Sequence, residues 1–324
     1  MNTKYNYVFF NIDDPCYEPV LWPLKKNSFV KLYKHALKTN KLTDKLFFLH
    51  WSAKLNRKVH LPFKKAWFPK IVKQNFENNK PCVYVFLGGK YLTEEKGLYE
   101  YIKSINPQNK AVVLCGDLIS KKNWDMDNIK NLCDMVLTYD EGEAEKFGIS
   151  YFPWGSLYDA IDEVTTPECF ENDIYFLGFA KDRLKEIHSA YKTFSDKGLK
   201  CKFIICGTDE KDRIQGDGLC YSLPIAYREN LRNIKASRCI LEVIQGGSYA
   251  PTLRLREAYT YKRKLITNNS NPEYRDYLDS KNLLVYENSE QINPEFAKTP
   301  VDYTGFKAVH NSPLALIEFF ENHL

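Results

Sequence analysis

A chain of 324 residues with 44% hydrophobic and 15% aromatic content is long enough for two ordinary cores, taking about 150 residues per domain. Mean hydropathy of -0.46 and the lack of any long uncharged apolar run exclude a transmembrane helix. The net charge of +5 is uneven, with 16 Lys and Arg against 5 Asp and Glu in residues 1–80 and 30 against 36 in the rest. Both an anionic partner for the first part and a merely solvated Lys-rich surface fit that asymmetry.

The opening MNTKYNYVFFNIDDP has a short apolar run followed at once by charge and proline. It has no signal-peptide h-region or small-residue cleavage site and reads as a first strand. The nine cysteines are odd in number and scattered, with no CxxC and no Cys/His cluster. Cys82, Cys115 and Cys206 fall within or at the end of apolar runs, where Cys behaves as a small hydrophobe. Reduced thiols without a disulfide framework or zinc site are expected.

In the first half, strands are expected at Tyr7–Ile12, Lys45–Trp51, Cys82–Leu87, Ala111–Cys115 and Met135–Thr138. Helical spacing is read at Phe29–Leu37, Ala66–Phe76, Leu98–Ile105 and Asn128–Cys133. Tyr151 to Asn172 loosens around Pro153, Gly155 and Pro167 and reads as a connection. Alternation then resumes with strand Asp173–Leu177, helix Asp182–Lys197 stopped by Gly198, strand Lys202–Cys206, helix Tyr227–Ala236 and strand Cys239–Ile244. Helix Thr252–Tyr261, strand Lys264–Thr267, helix Pro272–Leu278, strand Leu283–Tyr286 and helix Pro313–His323 complete the chain. Continuous apolar strands joined by helices define an α/β class with two Rossmann-like parallel-sheet domains. The expected domains are 1–155 and 173–324 with a linker at 156–172, the last helix being free to pack back on the first domain. Ligand crevices of such sheets lie beyond the carboxyl ends of the strands, so two domains facing each other would enclose a cleft.

The most informative stretch is Gln245–Asn269, QGGSYAPTLRLREAYTYKRKLITNN, which follows the apolar strand CILEVI. Gly246 and Gly247 permit a tight turn, Pro251 suits a first turn, and Thr252 is a candidate N-cap. The helix start makes an anion site, to which Arg254 and Arg256 add guanidinium groups. Glu257 stands where a carboxylate could accept from vicinal hydroxyls such as those of a ribose. A simple glycine turn with surface i,i+3 pairs accounts for the same residues.

Thr252, Arg254, Glu257, Ala258 and the run Lys264–Asn269 resemble the donor-binding signature of bacterial lipopolysaccharide and capsule glycosyltransferases related to the CgeB-like group. Asp173–Arg183 (DIYFLGFAKDR), Asp134–Gly148 (DMVLTYDEGEAEKFG) and His50–Trp67 are also similar to segments of those proteins. The resemblance implies a GT-B fold, with the two domains facing across a cleft. It further implies a hexosyltransferase-type enzyme that transfers a sugar from a nucleotide diphosphate sugar, UDP-sugar favoured, to a surface polysaccharide or lipid-linked acceptor. By that resemblance Glu257 holds the donor ribose. Gly178, Lys181, Arg183, Gln245, Gly246, Gly247, Tyr249, Thr252 and Arg254 surround the nucleotide sugar. Retaining relatives often carry a second glutamate upstream. Tyr249 stands eight positions before Glu257 and Glu242 lies within a strand, so inversion and retention both stay open.

A base for the acceptor hydroxyl is expected among Asp13, Asp14 and His50, which stand at the carboxyl ends of expected first-half strands. An Asx turn before Pro15 and a capping histidine explain the same residues, and Asp117 has the same ambiguity. Asp125-Met126-Asp127 spells D-x-D but opens a helical pattern where Asp is an expected cap, so no metal and no cofactor are expected. Lys54–Lys73 mixes lysines with Leu55, Leu61, Phe63, Trp67 and Phe68. It suits either a membrane interface or a helix packed on the sheet. The expected location is cytoplasmic, peripheral at the inner face of the membrane, without nucleic acid as partner. A sugar-nucleotide epimerase of the same fold and a non-catalytic nucleotide-sugar-binding protein are the alternatives.

Overall fold

The structure, a computed structural model, describes residues 1–10, 17, 21–33, 41–56, 59, 61–72, 76–88, 95–116, 118–121, 124–153, 169–246, 249–307 and 312–324. The chain divides into two compact units, Met1–Leu157 with Ser312–Leu324, and Tyr158–Asn311.

The first unit is a parallel sheet of β1 (Asn6–Phe10), β2 (Val30–Tyr33), β3 (Cys82–Leu87), β4 (Lys110–Leu114), β5 (Met135–Thr138) and β6 (Ser150–Tyr151), in the order β2-β1-β3-β4-β5-β6. Its helices include α1 (Lys41–His50), α2 (Lys96–Ile105), α3 (Met126–Leu132) and α4 (Glu141–Phe147). Every residue of β1 and β3 is buried, because crossover helices cover both faces of a parallel sheet. Tyr7 and Phe9 pack on one face against Leu316, Ile317 and Phe320 of the C-terminal helix Leu314–His323. Val8 and Phe10 join Phe47, Trp51 and Phe68 on the other. Glu321 fastens the terminal helix, accepting from the Tyr7 hydroxyl at 2.6 Å and the Lys4 amide at 2.8 Å.

The second unit is also wholly parallel: β7 (Asn172–Phe179), β8 (Cys201–Cys206), β9 (Leu219–Ser222), β10 (Ser237–Glu242), β11 (Lys264–Thr267) and β12 (Leu283–Val285). Their order, β12-β11-β10-β7-β8-β9, is that of a doubly wound dinucleotide-binding sheet. Its direction of travel reverses between β7 and β10. Helices α5 (Leu184–Ser195), α6 (Tyr227–Lys235) and α7 (Leu253–Thr260) make crossovers. The expected α/β class with two Rossmann-like units is the class observed.

Two expected elements are exchanged. Lys45–Trp51 was expected as a strand and lies almost wholly within helix α1. Its apolar run holds no β-branched residue, and Phe47 and Trp51, four apart, are the pair that enters the core. Phe29–Leu37 was expected as a helix, but Val30–Tyr33 pairs with β1 as the edge strand β2. Ala66–Phe76 is reduced among the described residues to the turns Lys64–Trp67 and Phe68–Ile71. Cys82, Cys115 and Cys206 are buried free thiols. Burial pushes all three thiols above their ordinary pKa. No helix among the described residues is long and apolar enough to cross a membrane.

Asp134 fixes the entry to β5. It accepts from Lys103 Nζ at 2.8 Å and the Ala111 amide at 2.9 Å, with Lys110 Nζ at 3.3 Å. Burial raises its pKa, but those hydrogen bonds and two lysine charges outweigh it and bring the carboxyl below its usual range. The carboxylate therefore stabilises the fold above the unfolded-state pKa, and this contribution is lost as pH falls through the lowered folded value. Asp134→Asn should cost about 1–2 kcal/mol at neutral pH, measured by urea unfolding. The difference from the parent protein should shrink on acidification below pH of about 4.

Candidate functional site

In a sheet of this order the crevice lies beyond the carboxyl ends of the two strands flanking the reversal. Those ends are Phe179 of β7 and Glu242 of β10. The loop after β7 runs through Ala180 into a single turn, Lys181–Arg183, with Lys181 at φ 46°. Arg183 folds back over the sheet edge. Its Nε donates to the Phe179 carbonyl at 3.1 Å, and its Nη1 donates to the Val243 carbonyl. One guanidinium thus joins the two strand ends. Gly178 leaves the space this requires, since a Cβ there would stand 3.1 Å from Arg183 Nη2 and 3.0 Å from the Phe176 ring. Burial pushes the Arg183 pKa down; Asp182 opposes this and the nearby charge of Arg254 adds to it. The two loops also meet where Lys181 Nζ donates to Gln245 Oε1 at 3.0 Å. A Cβ on Gly246 would stand 3.2 Å from Asp182 Oδ2.

Helix α7 starts in the same place. Thr252 is its N-cap, its Oγ1 accepting from the Arg254 amide at 3.0 Å. The same hydroxyl donates to Glu242 Oε1. Glu242 is buried and also accepts from the hydroxyls of Thr267 and Tyr274, the latter at 2.8 Å. This carboxylate ties the start of α7 to the ends of β10 and β11. Sequence reasoning set Glu242 aside as a strand residue. A carboxylate directly after the apolar run Cys239–Leu241, at the strand end, was the available signal. Tyr249 is exposed, and its carbonyl accepts from Asn271 Nδ2 at 3.0 Å.

Arg254 and Glu257, three apart on α7, form an ion pair. Glu257 also accepts from Asn230 Nδ2 at 2.8 Å, and Asn230 Oδ1 accepts from Tyr175 Oη at 3.0 Å and Arg254 Nη1 at 3.2 Å. Burial pushes the Glu257 carboxyl above its ordinary range, against the lowering effects of Arg254, Tyr227 and Asn230. Its exposure is 0%. Glu257, expected to hold the donor ribose, faces inward in this structure. Its oxygens are engaged inside the unit, where they hold Arg254 beside the loops. Arg256, expected as a second phosphate ligand, is also buried; it donates to Glu273 at 2.7 Å and stacks on Tyr277 at 4.0 Å. Two residues along a helix turn a side chain by roughly 200°, which separates Arg256 from Arg254.

Lys181, Arg183, Gln245, Gly246, Thr252 and Arg254 thus gather at the β7 and β10 ends. Gly247 lies outside the described residues, as do Asp13, Asp14 and Asp117. His50 ends helix α1 and does not follow a strand. Its Nδ1 accepts from Trp67 Nε1 at 2.8 Å and its Nε2 stands 2.6 Å from the Pro62 carbonyl. That pairing fixes the Nε2–H tautomer and occupies both ring nitrogens, as a structural histidine does. Asp125 caps α3, accepting from the Asn128 amide at 3.1 Å. Among the described residues no group of three His, Cys, Asp or Glu is placed to share a metal ion.

No family model matches the chain, and no curated protein matches it. Among solved structures it is similar to T4 phage BGT in complex with its UDP-glucose substrate (11% identity, 67% of this chain and 71% of that one, TM-score 0.41). It is also similar to an alpha-glucosyltransferase in complex with UDP-glucose and DNA containing an abasic site (9%, 85% and 82%, TM-score 0.44). A third is the GtfA/B complex (14%, 67% and 48%, TM-score 0.38). Identities this low carry no chemistry across, so what the site can do is set by its own residues.

Glu257→Ala would leave Arg254 and Asn230 without their buried acceptor. It should lower the unfolding free energy by about 3 kcal/mol, measured by guanidinium unfolding. A loss under about 1 kcal/mol would show that Arg254 is held by other contacts.

Proposed function

We propose that the chain is a glycosyltransferase that takes a sugar from a nucleotide diphosphate sugar, UDP-sugar favoured, and passes it to a surface polysaccharide or lipid-linked acceptor. The observation that carries the reading is the gathering of Lys181, Arg183, Arg254 and the α7 start at the reversal point of the second sheet. The positive end of a helix favours an anion. Two guanidinium groups and an ammonium supply the further charge that a departing diphosphate needs. With that charge supplied by the protein, transfer is proposed to proceed without a metal. Glu257 acts as a positioning residue for Arg254, and Glu242 as the anchor of the α7 start. The sequence resemblance to lipopolysaccharide and capsule enzymes supports the acceptor class and a cytoplasmic site of action at the inner membrane face. The acceptor base is proposed to be Asp13 or Asp14, which come shortly after the β1 segment in the sequence.

Calorimetric titration with UDP and with uridine tests the donor site. Arg254→Ala and Lys181→Ala should each weaken UDP by about tenfold or more and leave uridine nearly unchanged. Equal losses for both ligands would remove the diphosphate assignment. With UDP-sugar alone, only slow hydrolysis is expected. Conversion to an epimer would make the chain an epimerase, and binding without turnover under any acceptor would make it a sensor.

A further inference from the structure

Helix α1 has two apolar faces, and the core uses one. Phe47 and Trp51 enter the first unit beside Phe68 and Ile71. Leu42, Leu46 and Leu49, at i, i+4 and i+7, are 70%, 52% and 55% exposed, and Phe48 is 54% exposed. A stripe of that spacing is the mark of a helix packed on both sides, yet here one side faces solvent. Close to the end of α1 stands Phe63, 82% exposed and at φ 65°, a conformation that residues with a Cβ rarely take. The loop is tied to the helix, because His50 holds the Pro62 carbonyl on one ring nitrogen and Trp67 on the other. The histidine expected as a base thus fastens an aromatic side chain in water next to a leucine stripe.

The surroundings are cationic. Residues 41–73 contain nine Lys and Arg against one Asp. Lys45, Lys65 and Lys70 are exposed, the last standing 5.3 Å from the Trp67 ring. Apolar side chains amid lysines suit the boundary between headgroups and acyl chains of an anionic bilayer. A second copy of this chain would bring the same positive charge against it, and repulsion disfavours that occupant.

We propose that the outward face of α1, together with Phe63, docks the protein on an anionic lipid surface. The leucines and Phe63 enter the interface, and the lysines meet the headgroups. This surface differs from the Lys54–Lys73 segment taken alone, because its apolar part lies on α1. The inference uses the first unit only and involves no residue of the donor site, so failure of either leaves the other standing.

Sedimentation of the full chain with phosphatidylcholine vesicles, with and without phosphatidylglycerol, tests it. Binding is expected only with the anionic lipid and should weaken as salt rises. Leu46→Gln with Leu49→Gln should reduce the bound fraction by at least about tenfold, as should Lys45→Glu with Lys65→Glu. Both pairs are exposed, and unchanged melting would show that the variants remain folded. Absent binding to anionic vesicles, or binding indifferent to the leucine variants, overturns the proposal. A concentration-dependent dimer abolished by the leucine substitutions also overturns it, assigning the face to a second copy.

Discussion

Every strand pair in both sheets is parallel. A parallel pair cannot be closed by a tight turn, so the chain must cross a sheet face before each new strand. All carboxyl ends of a sheet then lie along one edge. Where the order of strands reverses, the crossovers on either side leave toward opposite faces and the edge opens. In the second unit that opening falls between β7 and β10. Arg183 spans it, and Glu242 draws the start of α7 onto it. The gathering of charge in the second unit is thus a product of topology first and of side-chain identity second.

Much of this was legible in the sequence because buried parallel strands are written as continuous apolar runs and their helices as amphipathic ones. Cys82–Leu87 and Lys264–Thr267 needed no tertiary information. Gln245–Thr252 announced its loop and its helix cap through Gly, Pro and Thr. What stayed hidden depends on partners distant in sequence. Glu257 reads as an available carboxylate until Asn230 and Arg254 are seen to enclose it. The edge strands β2 and β9 are short and only partly buried, so their apolar signal is weak. Helix α1 misled for the opposite reason. Its exposed leucines fill in the gaps between core residues and turn a helical pattern into an unbroken run.

The two units place their charge differently. In the second, cations are held individually: Arg183 by strand carbonyls, Lys181 by Gln245 and Arg254 by Glu257. Held charge is oriented and partly desolvated, which suits recognition of one compact anion at short range. In residues 41–73 of the first unit the exposed lysines sit among exposed apolar side chains. Loosely held charge of that kind acts over a Debye length and toward a broad anionic surface. The sequence asymmetry between the first 80 residues and the rest corresponds to this division.

The closing helix has a consequence for biogenesis. Tyr7 and Glu321, 314 positions apart, share a hydrogen bond, and Leu316, Ile317 and Phe320 cover the first strand's inner face. On the ribosome the first strand is made well before Leu314–His323, so this part of its cover is added only after the second unit has been translated. At roughly 5–20 residues per second the wait lasts about 8–30 seconds. A chain cut before Leu314 would leave Tyr7 and Phe9 without these partners.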